Sequence, residues 1–288
     1  MKAIYKKELL AYFTSMIGCV FIALVTALFG IYFMVYNMNY GYQSFAYTLG
    51  GIVFLFLIAI PILTMRSFAE ERKNRTDQLL LTSPVSLPSI VMGKYLAMVT
   101  IFAVPMAISC FFPLIIKLTG TATLLLDYSS ILAFFLMGCA YIAIGMFLSS
   151  LTESQIIAAI TTFIVLFLLH MWSQLMNYLP SSAIGNVIGL ILILTLIVLV
   201  VYKMTANWFL AGIIEAAGVA ATLIVYFVKS SLLENLLSKA LGNLSLRSVL
   251  ENFTDNNLFD IKGLVYYASV IFLFIFLTVQ SLRKRRWS

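Results

Sequence analysis

The chain has 288 residues, 62% hydrophobic and 10% charged, with 18 lysines and arginines against 11 acidic residues, a net charge of +7. Soluble domains are about 45–50% apolar and about 25% charged, so at a mean hydropathy of +1.05 a soluble globular fold is excluded. In lipid every backbone polar group needs an internal partner, which for such long apolar runs means helices; the expectation is an all-α polytopic membrane protein. The positive charge gives no support to nucleic-acid binding, because Lys and Arg cluster at the ends of apolar segments, where membrane topology places them.

In chain order, residues 2–15 read as an amphipathic interfacial helix. Tyr5, Leu9, Tyr12, Phe13 and Met16 recur at helical spacing while Lys6, Lys7 and Glu8 fall elsewhere, which suits a helix lying in the membrane surface. The first apolar run, about Met16–Tyr36, is too long for a signal-peptide core and no small-residue cleavage site follows, so it is expected to stay as a span. A tyrosine- and asparagine-rich loop precedes the second span, about Tyr47–Met65.

A polar island then runs from Arg66 to Lys94, between two membrane-length segments. Its charges, Arg66, Glu70, Glu71, Arg72, Lys73, Arg75 and Asp77, imply water contact. Ser67–Asn74 can be helical, with Glu70–Lys73 and Glu71–Arg75 at supportive spacing. Leu79, Leu80 and Leu81 need cover from the membrane or a partner's groove. Pro84 stops the local structure, and Ser86 can cap a new helix with Pro88 in its first turn.

Six further segments follow: about Tyr95–Ile116, kinked or interrupted by Pro105 and Pro113, then Ser129–Leu148, Gln155–Trp172, Val187–Tyr202, Trp208–Val228 and Leu264–Leu282. That makes about eight transmembrane helices, or six with residues 187–228 re-entrant or interfacial. Residues 229–263 carry a leucine stripe that suits an amphipathic segment on the outer face. With both termini on one side, 13 of the 18 basic residues share that side: Lys2, Lys6, Lys7, Arg66, Arg72, Lys73, Arg75, Lys94, Lys203, Arg283, Lys284, Arg285 and Arg286. The positive-inside rule then puts the termini and the island in the cytoplasm.

Little chemistry is visible. No phosphate-binding G-x-x-x-x-G-K-[ST] occurs, Cys19, Cys110 and Cys139 lie in apolar runs, and no metal-spaced cluster or nucleophile motif is found. A catalytic role and a cofactor or metal bound by this chain are not expected. His170 reads as a packing or hydrogen-bonding residue. Glu215 falls mid-span beside Ala211, Gly212, Gly218 and Thr222; an intramembrane carboxylate is either a functional site or a hydrogen-bonded link between helices.

Arg66-Ser67-Phe68-Ala69-Glu70-Glu71-Arg72-Lys73, Thr76, Leu79 to Ser86 and Gly93-Lys94 together resemble the coupling region of ABC-2 type ABC transporter permeases, and are most similar to the gliding-motility, GldF-like subgroup. Lys6-Lys7-Glu8-Leu9 with Tyr12-Phe13, and Leu264 to Trp287, resemble that subgroup's ends, so the likeness covers residues 1–288 as a single transmembrane domain. It implies that residues 66–94 dock in a groove of a separate ABC ATP-binding subunit, which would bind ATP and Mg itself. It also implies a second permease subunit and a possible GldG-like accessory protein, in the inner membrane of a bacterium. The coupling residues it implies are Ser67, Phe68, Glu70, Glu71, Arg72, Lys73, Arg75, Asp77, Gln78, Leu79 and Leu80. Where the family has Gly-Thr-x-Glu-Leu-Leu, Arg75 and Gln78 replace glycine and glutamate; without that glycine the helix is expected to continue through Arg75. The expected function is ATP-driven export of an amphiphilic or lipid-like substrate. The alternatives are a proton-coupled transporter using Glu215 and a scaffold of a surface machine.

Overall fold

A computed structural model of the chain describes residues 1–76, 85–120, 123–178, 180, 182–205, 208–229, 235–242, 244–256 and 259–287. Every regular element among them is helical. The chain forms two compact units, one of Met1–His170 with Leu246–Ser288, the other of Met171–Ser245.

The first unit holds α1 (Lys2–Thr14), α2 (Met16–Phe33), α3 (Ala46–Thr64), α4 (Ala69–Lys73), α5 (Leu87–Ser109), α6 (Phe112–Thr119), α7 (Leu124–Leu151) and α8 (Gln155–His170). A π-helical turn, Met34–Asn39, prolongs α2. The second unit contributes α9 (Trp172–Asn177), α10 (Ala183–Thr205), α11 (Trp208–Lys229) and α12 (Leu236–Gly242). The first unit then resumes with α13 (Leu246–Thr254) and α14 (Ile261–Trp287).

All eight apolar segments expected to span are helical. Among the described residues, five helical runs are long and apolar enough to cross a membrane: Met16–Asn39, Ala46–Lys73, Leu87–Leu118, Leu124–Leu151 and Ile261–Arg285. With 16 residues, α8 rises only about 24 Å against a hydrocarbon core of about 30 Å.

The centre of the first unit is α7, against which α3, α5, α8, α13 and α14 pack. Lipid gives helices no hydrophobic reason to associate, so close van der Waals fit has to hold them. Two glycines supply it: Gly138 receives the rings of Phe102 and Phe56, and Gly145 receives Thr64. Phe56 lies 5.1 Å from both Phe102 and Phe134, and the edge of Phe29 meets Phe134 at 5.9 Å. Opposite α4, Asp127 in the first turn of α7 is fully buried; its Oδ1 accepts from Ser44 Oγ and from the Phe45 amide, both at 2.8 Å. Asp127 thus satisfies an orphan amide at the start of α3.

Several local expectations need correcting. The island ends sooner than Lys94, because α5 begins at Leu87. Ser86 takes the N-cap position with extended backbone and Pro88 in the first turn, but its hydroxyl bonds Ser89 Oγ at 2.8 Å rather than a backbone amide. The interruption near Pro113 is real: α5 stops at Ser109 and α6 starts at Phe112, while Pro105 stays inside α5. Of the leucine stripe expected at 230–246, residues 230–234 and 243 lie outside the described residues; Leu236, Leu237, Ala240 and Leu241 lie on α12, while Leu244 follows that helix and Leu246 opens α13.

Within the second unit α10 and α11 pack along each other, with Gly218 accepting Leu194. Glu215 sits half-buried on α11. Ser173 Oγ and Ser245 Oγ lie 2.7 Å apart.

Candidate coupling site

A five-residue helix cannot hold itself together in water, so α4 depends on its surroundings. Its sequence helps: Glu70 and Glu71 fall in the first turn and Arg72 and Lys73 in the last, each complementing the helix dipole. No side chain of α4's own N-cap residue, Phe68, satisfies the first amides. Ser149, from the far end of α7, does so instead. Its buried hydroxyl donates to the Met65 carbonyl at 3.1 Å and accepts from the amides of Phe68 at 3.3 Å and Ala69 at 3.2 Å. One hydroxyl therefore joins the end of α3, the start of α4 and α7.

The other end of α4 closes differently from the expected continuation. The helix stops at Lys73, and Arg75 takes φ +56°, in the left-handed region. The Arg75 amide donates to the Arg72 carbonyl at 3.0 Å, and the Thr76 amide to the Glu71 carbonyl at 2.9 Å. This is the Schellman closure that usually has glycine at the left-handed position. The two closing bonds decide the conformation; the side chain at 75 does not.

Lys94 lies at the heart of the site. It was expected at the solvated end of the island, yet it is 2% exposed. Its Nζ donates to Glu8 Oε1 of α1 at 2.9 Å and to Glu71 Oε1 of α4 at 2.8 Å, and it sits 5.3 Å from the centroid of the Phe68 ring. A buried ammonium is tolerable only with such partners. Three elements distant in sequence meet on one nitrogen. Glu8 accordingly lies on α1's inner face, and the expected split of that helix fails at Glu8, Phe13 and Met16: Ile4, Tyr5, Glu8, Leu9 and Tyr12 turn inward, while Lys6, Lys7, Leu10, Phe13 and Met16 are exposed. Gly93 lets α1 approach, since a Cβ there would stand 3.1 Å from Ile4 Cγ2 and 3.3 Å from the Tyr5 amide nitrogen.

Tyr12 adds a second tie. Its hydroxyl donates to the Leu63 carbonyl of α3 at 3.0 Å, and the Arg66 guanidinium lies 5.2 Å over its ring. Burial, and then the Glu8 carboxylate, push the Tyr12 phenol well above its ordinary range. Arg66 Nε also pairs with Glu70 Oε2 at 3.0 Å. The pairs expected within α4, Glu70–Lys73 and Glu71–Arg75, give way to these ties with Arg66 and Lys94.

Of the residues read as coupling residues, Ser67, Phe68 and Arg72 are buried, Glu70 and Glu71 are half-buried, and Lys73 and Arg75 are exposed. Asp77, Gln78, Leu79 and Leu80 lie outside the described residues. Glu215 belongs to the other unit. Sequence reading missed Ser149, Glu8 as a buried partner, and Tyr12 as an anchor. The only local signal was Gly93 beside Lys94, a small residue where two helices meet.

At the end of the first unit away from α4, the buried His170 Nε2 lies 2.9 Å from Arg247 Nη1, and Arg247 Nε pairs with Glu251. Arginine only donates, so this His170 nitrogen accepts. His170 is a hydrogen-bonding residue, as expected.

Among the described residues no group of three or more His, Cys, Asp or Glu could hold a metal ion. No curated protein matches the chain. A family profile described as ABC-2 family transporter protein matches residues 32–279, which takes in α3, the Ser149 staple, α4, Lys94 and most of α14. The chain therefore belongs to the ABC-2 transporter family, as a multi-pass membrane transport subunit.

Proposed function

We propose that the chain is the permease subunit of an ATP-driven exporter and that α4 with its flanking turns receives the stroke of a separate ATP-binding subunit. The observation that carries this reading is the tethering of α4. A helix too short to stand alone is bonded through Ser149 to α7 and through Lys94 to α5 and α1. A push on its outer side, on the half-buried Glu70 and the exposed Lys73 and Arg75 at its end, is passed to three long elements rather than absorbed by a flexible loop. Asp77, Gln78, Leu79 and Leu80 would complete the docking surface.

The positive-inside bias supports a cytoplasmic side for α4 and both termini, and the likeness to the GldF-like subgroup supports the inner membrane of a bacterium. ATP and Mg would be held by the partner, and a second permease, identical or homologous, would complete the transport unit, with a GldG-like protein as accessory. The phenylalanine-rich interior favours an amphiphilic or lipid-like cargo.

The test is co-purification. Replacing Glu70, Lys73 and Arg75 together by alanine should abolish recovery of the ATP-binding subunit while leaving the permease monodisperse and equally heat-stable. Unchanged recovery would remove α4 as the docking element. Transport at the full rate without any ATP-binding subunit would remove the exporter reading altogether.

A further inference from the structure

At the α4 end of the first unit, a cleft of about 450 Å³ opens between α4, α7 and α14. On α14 its lining is Leu277, Gln280, Ser281, Lys284 and Arg285, which is one helical face. Toward the C-terminus that face passes from apolar, through an amide and a hydroxyl, to cationic. Opposite the apolar part, α7 presents Phe147 and Leu151, one helical turn apart, and Leu151 is 53% exposed. At the polar end stands Arg72 of α4, which also donates to the Thr152 carbonyl at 3.4 Å.

The charge is one-sided. Among the described residues that line the cleft, Arg72, Lys284 and Arg285 stand with one carboxylate, Glu153, which pairs with Arg285 at 3.1 Å and is itself largely exposed. From Leu277 to Lys284 the helix rises about 10 Å, enough to cross from the hydrocarbon edge through a headgroup layer of about 5–7 Å. The lining thus reproduces the polarity profile of an amphiphile standing upright in one leaflet. Arginine and lysine beside a polar opening select phosphate, and arginine does so with two parallel donors.

We propose that this cleft binds an anionic phospholipid, its phosphodiester held by Lys284, Arg285 and Arg72 and its acyl chains laid along Leu277, Phe147 and Leu151. Lipid binding there needs no ATP-binding partner, so it stands apart from the docking role of α4. Because Arg72 belongs to α4, a bound lipid would touch the element that docking also uses.

The experiment uses the purified full-length chain in neutral detergent micelles, titrated with dioctanoyl phosphatidylglycerol or dioctanoyl phosphatidylcholine and read by native mass spectrometry. The anionic lipid should bind more tightly by about tenfold, and Lys284→Glu and Arg285→Glu should each lose about that factor. Arg283→Glu, an exposed neighbour on α14 outside the cleft, should change affinity by less than about threefold, as a screened surface charge. Glu153→Gln should tighten binding. Lys284→Gln, a neutral change at an exposed position, should weaken binding with the fold intact.

Equal losses in Arg283→Glu and Lys284→Glu would reduce the effect to general surface charge and overturn the proposal. Inorganic phosphate displacing the lipid at equal concentration would overturn the lipid assignment. A Lys284→Glu chain that keeps its lipid affinity but no longer retains an ATP-binding subunit would reassign the cleft to a protein partner.

Discussion

Replacing Lys94 by methionine tests the buried ion triad directly. The substitution keeps the aliphatic stem and removes the ammonium, leaving Glu8 and Glu71 facing each other. Their side chains are 14% and 16% exposed, so water relieves them only in part. Both carboxylate oxygens lie within 3 Å of one nitrogen, hence no more than about 6 Å apart, and at an effective dielectric near 20 their repulsion is about 3 kcal/mol. Removing one partner of a buried ion cluster costs about 3–5 kcal/mol in general, and the two values agree. The apparent unfolding midpoint of the purified chain should fall by about 6–10 °C. Adding Glu8→Gln and Glu71→Gln to Lys94→Met removes the unpaired charges and should recover most of the loss, since apolar or neutral replacement of a whole buried ion cluster is often neutral. A thermal-shift series on the single and triple variants reads both effects. If Lys94→Met leaves the midpoint unchanged, or if the triple variant is worse than the single, the triad does not hold α1, α4 and α5 together.

Other changes probe separate features. Arg75→Gly should stabilise the end of α4 by about 1 kcal/mol, because glycine carries no left-handed penalty at φ +56°; a loss of stability would mean that the Arg75 side chain matters more than its backbone. Gly138→Ala places a methyl against the fully buried Phe102 ring and should cost about 1–3 kcal/mol by overpacking, read as a lower unfolding midpoint. Asp260 caps α14, accepting from the Gly263 amide and from Asn252 at 3.0 Å each, and the Gly263 bond foremost holds its carboxyl below the usual range. A depressed folded pKa stabilises above the unfolded value, about 3.9, and that contribution fades as pH falls through the folded value. The Asp260→Asn midpoint should therefore lie below wild type at pH 7, and the gap should narrow as pH falls below the ordinary carboxylate range; a constant gap throughout that acid titration would separate the cap from ionisation.

Much of this protein was legible in its sequence because hydropathy and its period are local properties. The all-α membrane class, the helical state of all eight apolar segments, the break near Pro113 and the start of a helix at Ser86 each follow from residues within a turn or two of the feature. So did the position of α4, a knot of charge that lipid could not accept. What local reading could not supply is who pairs with whom. Lys94 looked solvated because its carboxylates lie 23 and 86 residues away, and only the packing of α1 against α5 brings Glu8 within reach. Arg75 looked like a residue that prolongs a helix, but two closing hydrogen bonds outweigh the modest cost of a left-handed arginine. Ser149, just past the expected end of its span, drew no reading of its own, and only the fold sets it beside two orphan amides and a carbonyl. Burial makes each of these polar groups dependent on partners, and those partners come from helices that only the tertiary structure brings together.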